Sequence, residues 1–138
     1  MATSKELTIL ESFEDTNLAF SSIVASDTTS KVLLYNAVNS PDEQLSDFIG
    51  KTLLIADVVI EKVDLVSRET GEIQKTPRVV IIDKDKKSYS CASFGIYNAI
   101  RKLATIFGTP SWSAAPIKVE VQNLTTSNGK KTMTLKAL

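Results

Sequence analysis

The sequence predicts an all-β domain with one helix, in which five strands form a Greek-key barrel and the helix lies between strands 3 and 4. Three observations support this class. Apolar and polar residues alternate in several short segments after Lys51, one segment from Ser93 to Gly108 instead repeats its apolar residues at helical spacing, and Asn128-Gly129 is the strongest hairpin signal in the chain. The resulting order of three strands, a helix and two strands is that of the OB-fold. The same order would also suit an open antiparallel sheet covered by one helix.

The N-terminal part of the chain carries weaker signals. Residues 1–30 are acidic and rich in serine and threonine, so we expect an acidic arm, loosely attached or folded into short peripheral elements, before a barrel domain of residues 31–138. The segment KVLLYNAV predicts a short strand. In SPDEQLSDFIG, a capping serine, a proline at the first helical position and a final glycine predict one or two helical turns.

The barrel is expected to begin with a long strand, KTLLIADVVIEKVDLV. Its apolar phase shifts after Ile60, which predicts a bulge or bend near Glu61 and Lys62. A polar hairpin follows, in which Gly71 can adopt a positive φ. The segments RVVIID and KSYSCAS then predict the second and third strands, joined by the turn KDK.

The clearest helix of the chain follows the third strand. Ser93 predicts its N-cap, and Gly108 with Pro110 predicts its end. Its apolar residues, spaced for one helical face, are Ile96, Ile100, Leu103 and Phe107. The segments IKVEVQ and TMTLKAL alternate apolar and polar residues and predict the last two strands.

Length and composition limit the classes of function. With 138 residues, 43% of them hydrophobic, the chain fits one domain with its own core. It has no histidine and a single cysteine, Cys91, so an internal disulfide is excluded, and no metal or other cofactor is expected. Since no segment has the length of a transmembrane helix and the N-terminus lacks the layout of a signal peptide, we expect a cytoplasmic protein.

Two motifs resemble catalytic or metal sites. The segment FIGKT ends like a phosphate-binding P-loop, but Leu45 stands where that motif needs a glycine. Asp83 and Asp85 could hold a divalent cation, as in a metal-dependent hydrolase, although two carboxylates between strands are typical of a hairpin turn. Because no histidine is available to activate a serine, we predict that the protein is not an enzyme.

The charges are distributed unevenly along the chain although their sum is zero. Residues 1–50 carry two lysines and eight carboxylates, a net charge of −6, and residues 51–138 carry fourteen cations and eight carboxylates, a net charge of +6. The second part can therefore present a basic surface to a polyanion. Single-stranded nucleic acid is bound without sequence preference where cations follow the phosphates and aromatic rings stack on the bases.

An OB-fold would place such groups on strands 2 and 3 and on the loops that join strands 1 to 2 and 4 to 5. The cations in these places predict phosphate contacts at Arg68, Lys75, Arg78, Lys86, Lys87, Lys130 and Lys131. Tyr89 either stacks on a base or is a half-buried strand residue, and Trp112 either plugs the barrel end or joins the binding surface. Phe94 and Tyr97 are expected to pack in the core or at its rim.

The run from Ser67 to Trp112 resembles small single-stranded DNA-binding proteins encoded by tailed bacteriophages of Gram-positive bacteria. The shared features are a Thr-Gly-Glu loop, an Arg-led strand ending in Ile-Asp, a Ser-Tyr strand running into Ser-Phe-Gly-Ile, and a helix closed by Phe-Gly-x-Pro-x-Trp. The resemblance extends over about Leu33 to Val121. It implies an OB-fold that coats exposed DNA strands during phage replication or recombination, in the cytoplasm of the host cell, but it assigns no site residues.

The partners beyond single-stranded DNA are open at this point. Bacterial single-strand binding proteins end in an acidic tip that recruits replication proteins, whereas this chain ends with TLKAL in a predicted strand. If the protein recruits replication or recombination proteins, or shields its own groove, we expect the acidic arm of residues 1–30 to do so. The sequence also leaves open whether the protein forms an oligomer. The alternative function is a non-enzymatic β-barrel module whose basic surface binds an acidic protein.

Overall fold

The computed structural model describes residues 18–66, 70–109, 111–125, 127 and 129–138, and shows a mostly β protein with two α-helices. One sheet curls into a half-barrel similar to an OB-fold barrel. In chain order the elements are β1 (Leu18–Ser21), α1 (Thr28–Asn39), β2 (Glu43–Gln44), a 3-10 helix (Leu45–Phe48), β3 (Thr52–Val66), β4 (Ile73–Asp83), β5 (Ser88–Ala92), α2 (Phe94–Phe107), β6 (Ile117–Thr125) and β7 (Lys131–Ala137).

The long strand β3 organises the sheet. The strand order is β2-β5-β4-β3-β6-β7, and β1 also pairs with β3. On one edge β3 pairs with β4, and on the other it pairs with β6 near its start and with β1 near its middle, in each case antiparallel. Among the described residues β5 and β7 are not paired with each other, and α2 packs against β7 and β4. The closed five-stranded Greek-key barrel therefore stays a prediction.

The irregularity in β3 lies in a different place from the one predicted. A bulge lies at Ala56, and beyond it β3 pairs with β4 in continuous register. Near Glu61 the register shifts only on the other edge of β3, between Leu18 and Phe20 of β1, so the predicted bulge near Glu61 and Lys62 is absent from the β3–β4 pairing. The apolar alternation fails because β3 is buried on both faces: Val58 belongs to the main core, while the next residue, Val59, belongs to a second cluster on the outer face of the sheet.

The structure has two α-helices where the sequence predicted one, and the additional helix is α1. The segment KVLLYNAV lies within α1 and is not a strand. A capping box starts the helix: Asp27 Oδ1 accepts a hydrogen bond from the Ser30 N–H at 2.8 Å, and the Asp27 N–H donates to the Ser30 hydroxyl. Leu34, Ala37 and Val38, at helical spacing, then pack on the outer cluster of the sheet.

The two clusters lie on opposite faces of β3 and β4. The outer cluster is small and consists of Ala37 of α1 on Val59, Val80 and Ile82. The main core lies inside the curl of the sheet, where α2 covers it. Its fully buried residues include Leu45, Ile55, Val58, Val79, Ile81, Ile96, Val119 and Val121. Each of these core side chains stabilises the fold by about 1.5–3 kcal/mol through removal of apolar surface from water.

The segment between α1 and β3 is only partly as predicted. It forms β2 and one 3-10 turn, and no α-helix starts at Pro41. The Asp42 carboxylate instead accepts hydrogen bonds from the Ser88 N–H and hydroxyl, at 2.9 and 3.1 Å, so the segment is tied to β5. Gly50 follows with φ +85° and turns the chain into β3.

Both ends of α2 are where the sequence predicts them. The Ser93 hydroxyl accepts a hydrogen bond from the Ile96 N–H, and Gly108 ends the helix with φ +92°. The predicted boundary between the arm and the barrel domain, after residue 30, falls inside α1. The acidic arm itself stays a prediction, because residues 1–17 lie outside the described part of the chain.

Candidate nucleic-acid interface

A groove of about 260 Å³ lies where the β3–β4 hairpin approaches the start of α2. Two aromatic residues and two lysines share its lining with small and aliphatic residues. The lining consists of Ala19, Ile60, Lys62, Lys75, Thr76, Pro77, Phe94 and Tyr97. Among these described residues there is no carboxylate. We call this feature the hairpin groove.

The antiparallel register of the hairpin brings the two lysines to the same site. Lys62 pairs with Pro77, and Lys75 lies two residues before Pro77 on the partner strand. Both lysines are exposed to solvent. Their ammonium groups can therefore meet a phosphate without the cost of burying a charge.

The aromatic side of the groove comes from the first turn of α2. Phe94 is the first residue of the helix after the Ser93 cap, and 47% of its surface is exposed. Tyr97, one turn later, is half-buried. The Arg101 guanidinium lies 5.6 Å from the centroid of the Tyr97 ring, in a cation–π contact. A flat surface on which bases can stack therefore lies next to cations.

The loop between β6 and β7 reaches the same end of the molecule. A side chain at Gly95 would overlap the Met133 carbonyl and the Thr132 hydroxyl, so the start of β7 lies directly against the start of α2. Lys130 and Lys131 come just before this contact, and both are exposed. Of the predicted cations, Lys75 therefore lines the groove, and Lys130 and Lys131 directly precede the part of β7 that packs against the start of α2.

Arg78 is engaged in contacts within the protein. Its guanidinium donates to the Glu61 carboxylate in an ion pair and to the Val38 carbonyl at 3.0 Å. Val38 lies in the last turn of α1, whose carbonyls lack partners within the helix. Arg78 therefore ties α1 to the sheet, and its side chain is mostly shielded from solvent.

Lys86 and Lys87 lie in the turn at the opposite end of β4 from the hairpin groove. Lys86 is exposed and has φ +68°. The Lys87 ammonium lies 3.4 Å from a Glu43 carboxylate oxygen and 5.6 Å from the centroid of the Phe48 ring. This turn is organised by Asp83, whose Oδ1 accepts hydrogen bonds from two backbone N–H groups of the turn at 2.9 Å each.

Tyr89 is a core residue in this structure. It is 4% exposed, and its ring meets Phe48 edge to face at 4.9 Å. Its hydroxyl donates to Asp83 Oδ2 at 2.9 Å. Burial, together with this hydrogen bond and the negative charge of Asp83, raises the pKa of Tyr89 well above its ordinary value. No open ring face is left for a base.

Trp112 is also enclosed, and Cys91 is half-buried. Trp112 is 7% exposed and belongs to the main core, and its backbone N–H donates to the Ala56 carbonyl at 2.7 Å. It therefore fills the end of the curled sheet near the bulge of β3, away from the hairpin groove. Burial raises the pKa of the Cys91 thiol to about 12, although the charge of Arg78 opposes this effect.

The position of α1 matters for where a DNA strand can run. An OB-fold would offer the face of its second and third strands to the ligand. Here Val80 and Ile82 of β4 point to the outer face and are buried under Ala37 of α1. That part of the outer face is occupied. The hairpin groove lies on the other face of the sheet, where Ile60 of its lining belongs to the main core.

The groove contains residues that the sequence analysis did not assign to the site. Phe94 and Tyr97 were expected in the core or at its rim, and Tyr97 does pack partly against the main core while it lines the groove. Lys62, in the lining, and Arg101, beside it, had no assigned role in the site. The helical spacing held part of the signal, because Phe94 and Arg101 share a side of α2 that differs from the side of Ile96 and Ile100, with Tyr97 between them. The predicted contact at Arg68 lies outside the described residues.

Two features are absent from the described part of the chain, a membrane-spanning helix and a cluster of metal ligands. No helix is long and apolar enough to cross a membrane. No group of three or more acidic or cysteine side chains is arranged to hold a metal ion there.

Comparison with known proteins identifies the family. The family model of phage single-stranded DNA-binding proteins of the phi29 type matches residues 13–137, which is nearly the whole chain. The chain has no significant match among curated proteins or among solved structures. The family agrees with a groove in which exposed lysines surround an exposed aromatic ring. This chain belongs to the phage single-stranded DNA-binding protein family of the phi29 type.

Proposed function

We propose that the protein coats single-stranded DNA without sequence preference and that the hairpin groove is the centre of its binding site. The observation that carries this proposal is the lining of the groove, which combines an exposed phenylalanine, a half-buried tyrosine and two exposed lysines. This is the combination that a strand of unspecified sequence requires, because every base has a flat face and every nucleotide a phosphate.

The phosphate contacts come from both sides of the groove. Lys62 and Lys75 lie on the β3–β4 hairpin, and Lys130 and Lys131 lie at the β6–β7 loop. Each phosphate neutralised by a lysine releases counterions from the DNA, so binding weakens as salt rises. Four contacts to a single strand predict a slope of about −2.8 for the logarithm of the affinity against the logarithm of the salt concentration.

The base contacts come from α2. Phe94 offers an exposed ring, and the half-buried ring of Tyr97 lines the groove beside it. Each stacked base is worth about 1–3 kcal/mol. Tyr89 and Trp112 support the site by holding the core and do not stack on bases in this proposal.

We also propose the barrel fold, the cellular location and the non-catalytic character of this role. The curled sheet would act as a five-stranded OB barrel formed by β3 to β7, with α2 covering the gap between β5 and β7. The protein would act in the cytoplasm of the host cell, where exposed strands form during replication or recombination of phage DNA. Binding alone, with no catalytic step, accounts for this role.

The test is a titration of fluorescently labelled oligo-dT of several lengths, followed by anisotropy at two salt concentrations, with a duplex of equal length as control. We expect salt-sensitive binding of single strands that needs a minimum length, and weak binding of the duplex. An absence of binding at micromolar protein would reject the proposal. Equal binding of any polyanion at any length would favour a basic module that binds acidic proteins.

A further inference from the structure

The exposed face of α2 continues from the hairpin groove along the helix. At 3.6 residues per turn, the positions after Phe94 that share its face are Tyr97, Asn98, Arg101, Lys102 and Thr105. The face opposite to these residues packs into the main core. Four of them, Asn98, Arg101, Lys102 and Thr105, line a shallow depression of about 390 Å³ next to the groove. We call these four residues the α2 track.

The α2 track is positively charged. The helix from Phe94 to Phe107 contains Arg101 and Lys102 and no acidic residue. Both side chains are exposed, and in the described part of the chain neither forms an ion pair. The Thr105 hydroxyl donates to the Arg101 carbonyl at 2.9 Å, and the Arg101 guanidinium lies beside the Tyr97 ring. Two adjacent cations without counter-charges favour a polyanion on this face.

Arg101 joins the track to the groove. Its guanidinium lies over the Tyr97 ring, and Tyr97 lines the groove while Arg101 lines the track. A strand that stacks on Phe94 and Tyr97 therefore meets Arg101 before it leaves the site. The rise of about 1.5 Å per residue gives about 17 Å from Phe94 to Thr105. Stacked nucleotides spaced by about 3.4 Å would cover this length with about five residues of DNA.

We infer that single-stranded DNA leaving the hairpin groove continues along the α2 track, where Arg101 and Lys102 bind the phosphates of the flanking nucleotides. The inference rests on the proposed function, because it extends the same binding site. It assigns the protein a second set of phosphate contacts, formed only by strands long enough to extend beyond the groove. A short oligonucleotide would fill the groove alone.

The test compares the double variant Arg101→Gln/Lys102→Gln with the wild type for oligo-dT of increasing length, by anisotropy at several salt concentrations. For long strands we expect the salt slope to fall in magnitude by about 1.4, because two phosphate contacts are lost. For the shortest strands that bind, the slope should stay the same. The matched control is Lys118→Gln/Lys136→Gln, which removes two exposed cations of β6 and β7 away from the groove and should change neither slope.

A second variant places a negative charge at the far end of the track. Thr105→Glu should weaken binding of long strands only, and glutamate is a good helix former, so the fold should persist. The inference is overturned if wild type binds oligo-dT while both track variants match it at every length and salt concentration; the proposed function then stands. If wild type fails to bind any single strand, the proposed function fails as well.

Discussion

The substitution Phe94→Ala tests most directly whether bases stack in the hairpin groove. Phe94 is the first residue of α2 and 47% of its surface is exposed. Because about half of the ring is already in water, its removal should lower the free energy of unfolding by only about 1 kcal/mol. Alanine also suits a helix well, and the Ser93 cap is untouched. The variant should therefore fold.

The effect on binding should be larger than the effect on folding. Loss of one stacked base at about 1–3 kcal/mol lowers the affinity for oligo-dT by about 5- to 150-fold. Since phenylalanine carries no charge, the salt slope should stay as in the wild type. Anisotropy titrations of labelled oligo-dT at several salt concentrations measure both quantities, and a lysine variant would show the opposite pattern, with a changed slope.

Phe107→Ala is the matched control. Phe107 ends the same helix and is 53% exposed, but it lies off the face that Phe94 and Arg101 share. Its loss should leave the affinity within about twofold of the wild type. The reasoning is refuted if Phe94→Ala binds like the wild type, or if both variants lose affinity equally.

Three further predictions concern charge, stability and pH. Lys62→Gln and Lys75→Gln should each reduce the magnitude of the salt slope by about 0.7, in the same titrations. Arg78→Gln should lower the free energy of unfolding in urea by about 2 kcal/mol, because it leaves the Glu61 carboxylate without its ion pair, and it should leave the affinity for DNA unchanged. Burial raises the pKa of Tyr89 above its ordinary value of 10. Above pH 10 only the unfolded chain therefore loses this proton, and the free energy of unfolding falls by up to about 1.4 kcal/mol per pH unit. Tyr89→Phe should remove this alkaline loss in urea titrations, with DNA binding at neutral pH unaltered.

Local signals predicted the elements in the second part of the chain. α2 has a serine cap, a regular apolar face and a glycine at its end, and all three act within the helix itself. β5, β6 and β7 follow from local pattern and from turn residues, of which Gly71 and Gly129 do adopt positive φ. The prediction of β4 as RVVIID covers only its second half, because the strand begins at Ile73 in the segment predicted as a polar hairpin. These signals need no knowledge of what packs against the element.

The errors arose where a distant part of the chain decides the structure. The segment KVLLYNAV has a mixed pattern, and it becomes helical because Asp27 caps it and Ala37 packs on Val59 and Val80 of the sheet. The same packing buries Val59 on the outer face of β3, while its neighbour Val58 lies in the main core. A local sequence pattern does not indicate that a helix from another part of the chain will cover the outer face of a strand.

The candidate groove contains one of the predicted cations, Lys75, and none of the predicted aromatic residues. The predicted contacts at Lys130 and Lys131 stay predictions. Whether an aromatic residue of a strand is buried depends on what packs over it, and for Tyr89 that residue is Phe48 of the 3-10 helix. Phe94 could have been identified from its place on the polar face of α2.

The most direct test of the central claim is to map which residues touch the bases. Oligo-dT containing 5-iodouracil is bound to the wild-type protein, irradiated at low salt, and the cross-linked peptides are identified by mass spectrometry. We expect the main cross-links to fall on Phe94 and Tyr97, in the peptide that begins α2. Cross-links concentrated on Tyr89, Trp112 or the exposed Tyr35 of α1, with none on Phe94 or Tyr97, would contradict it.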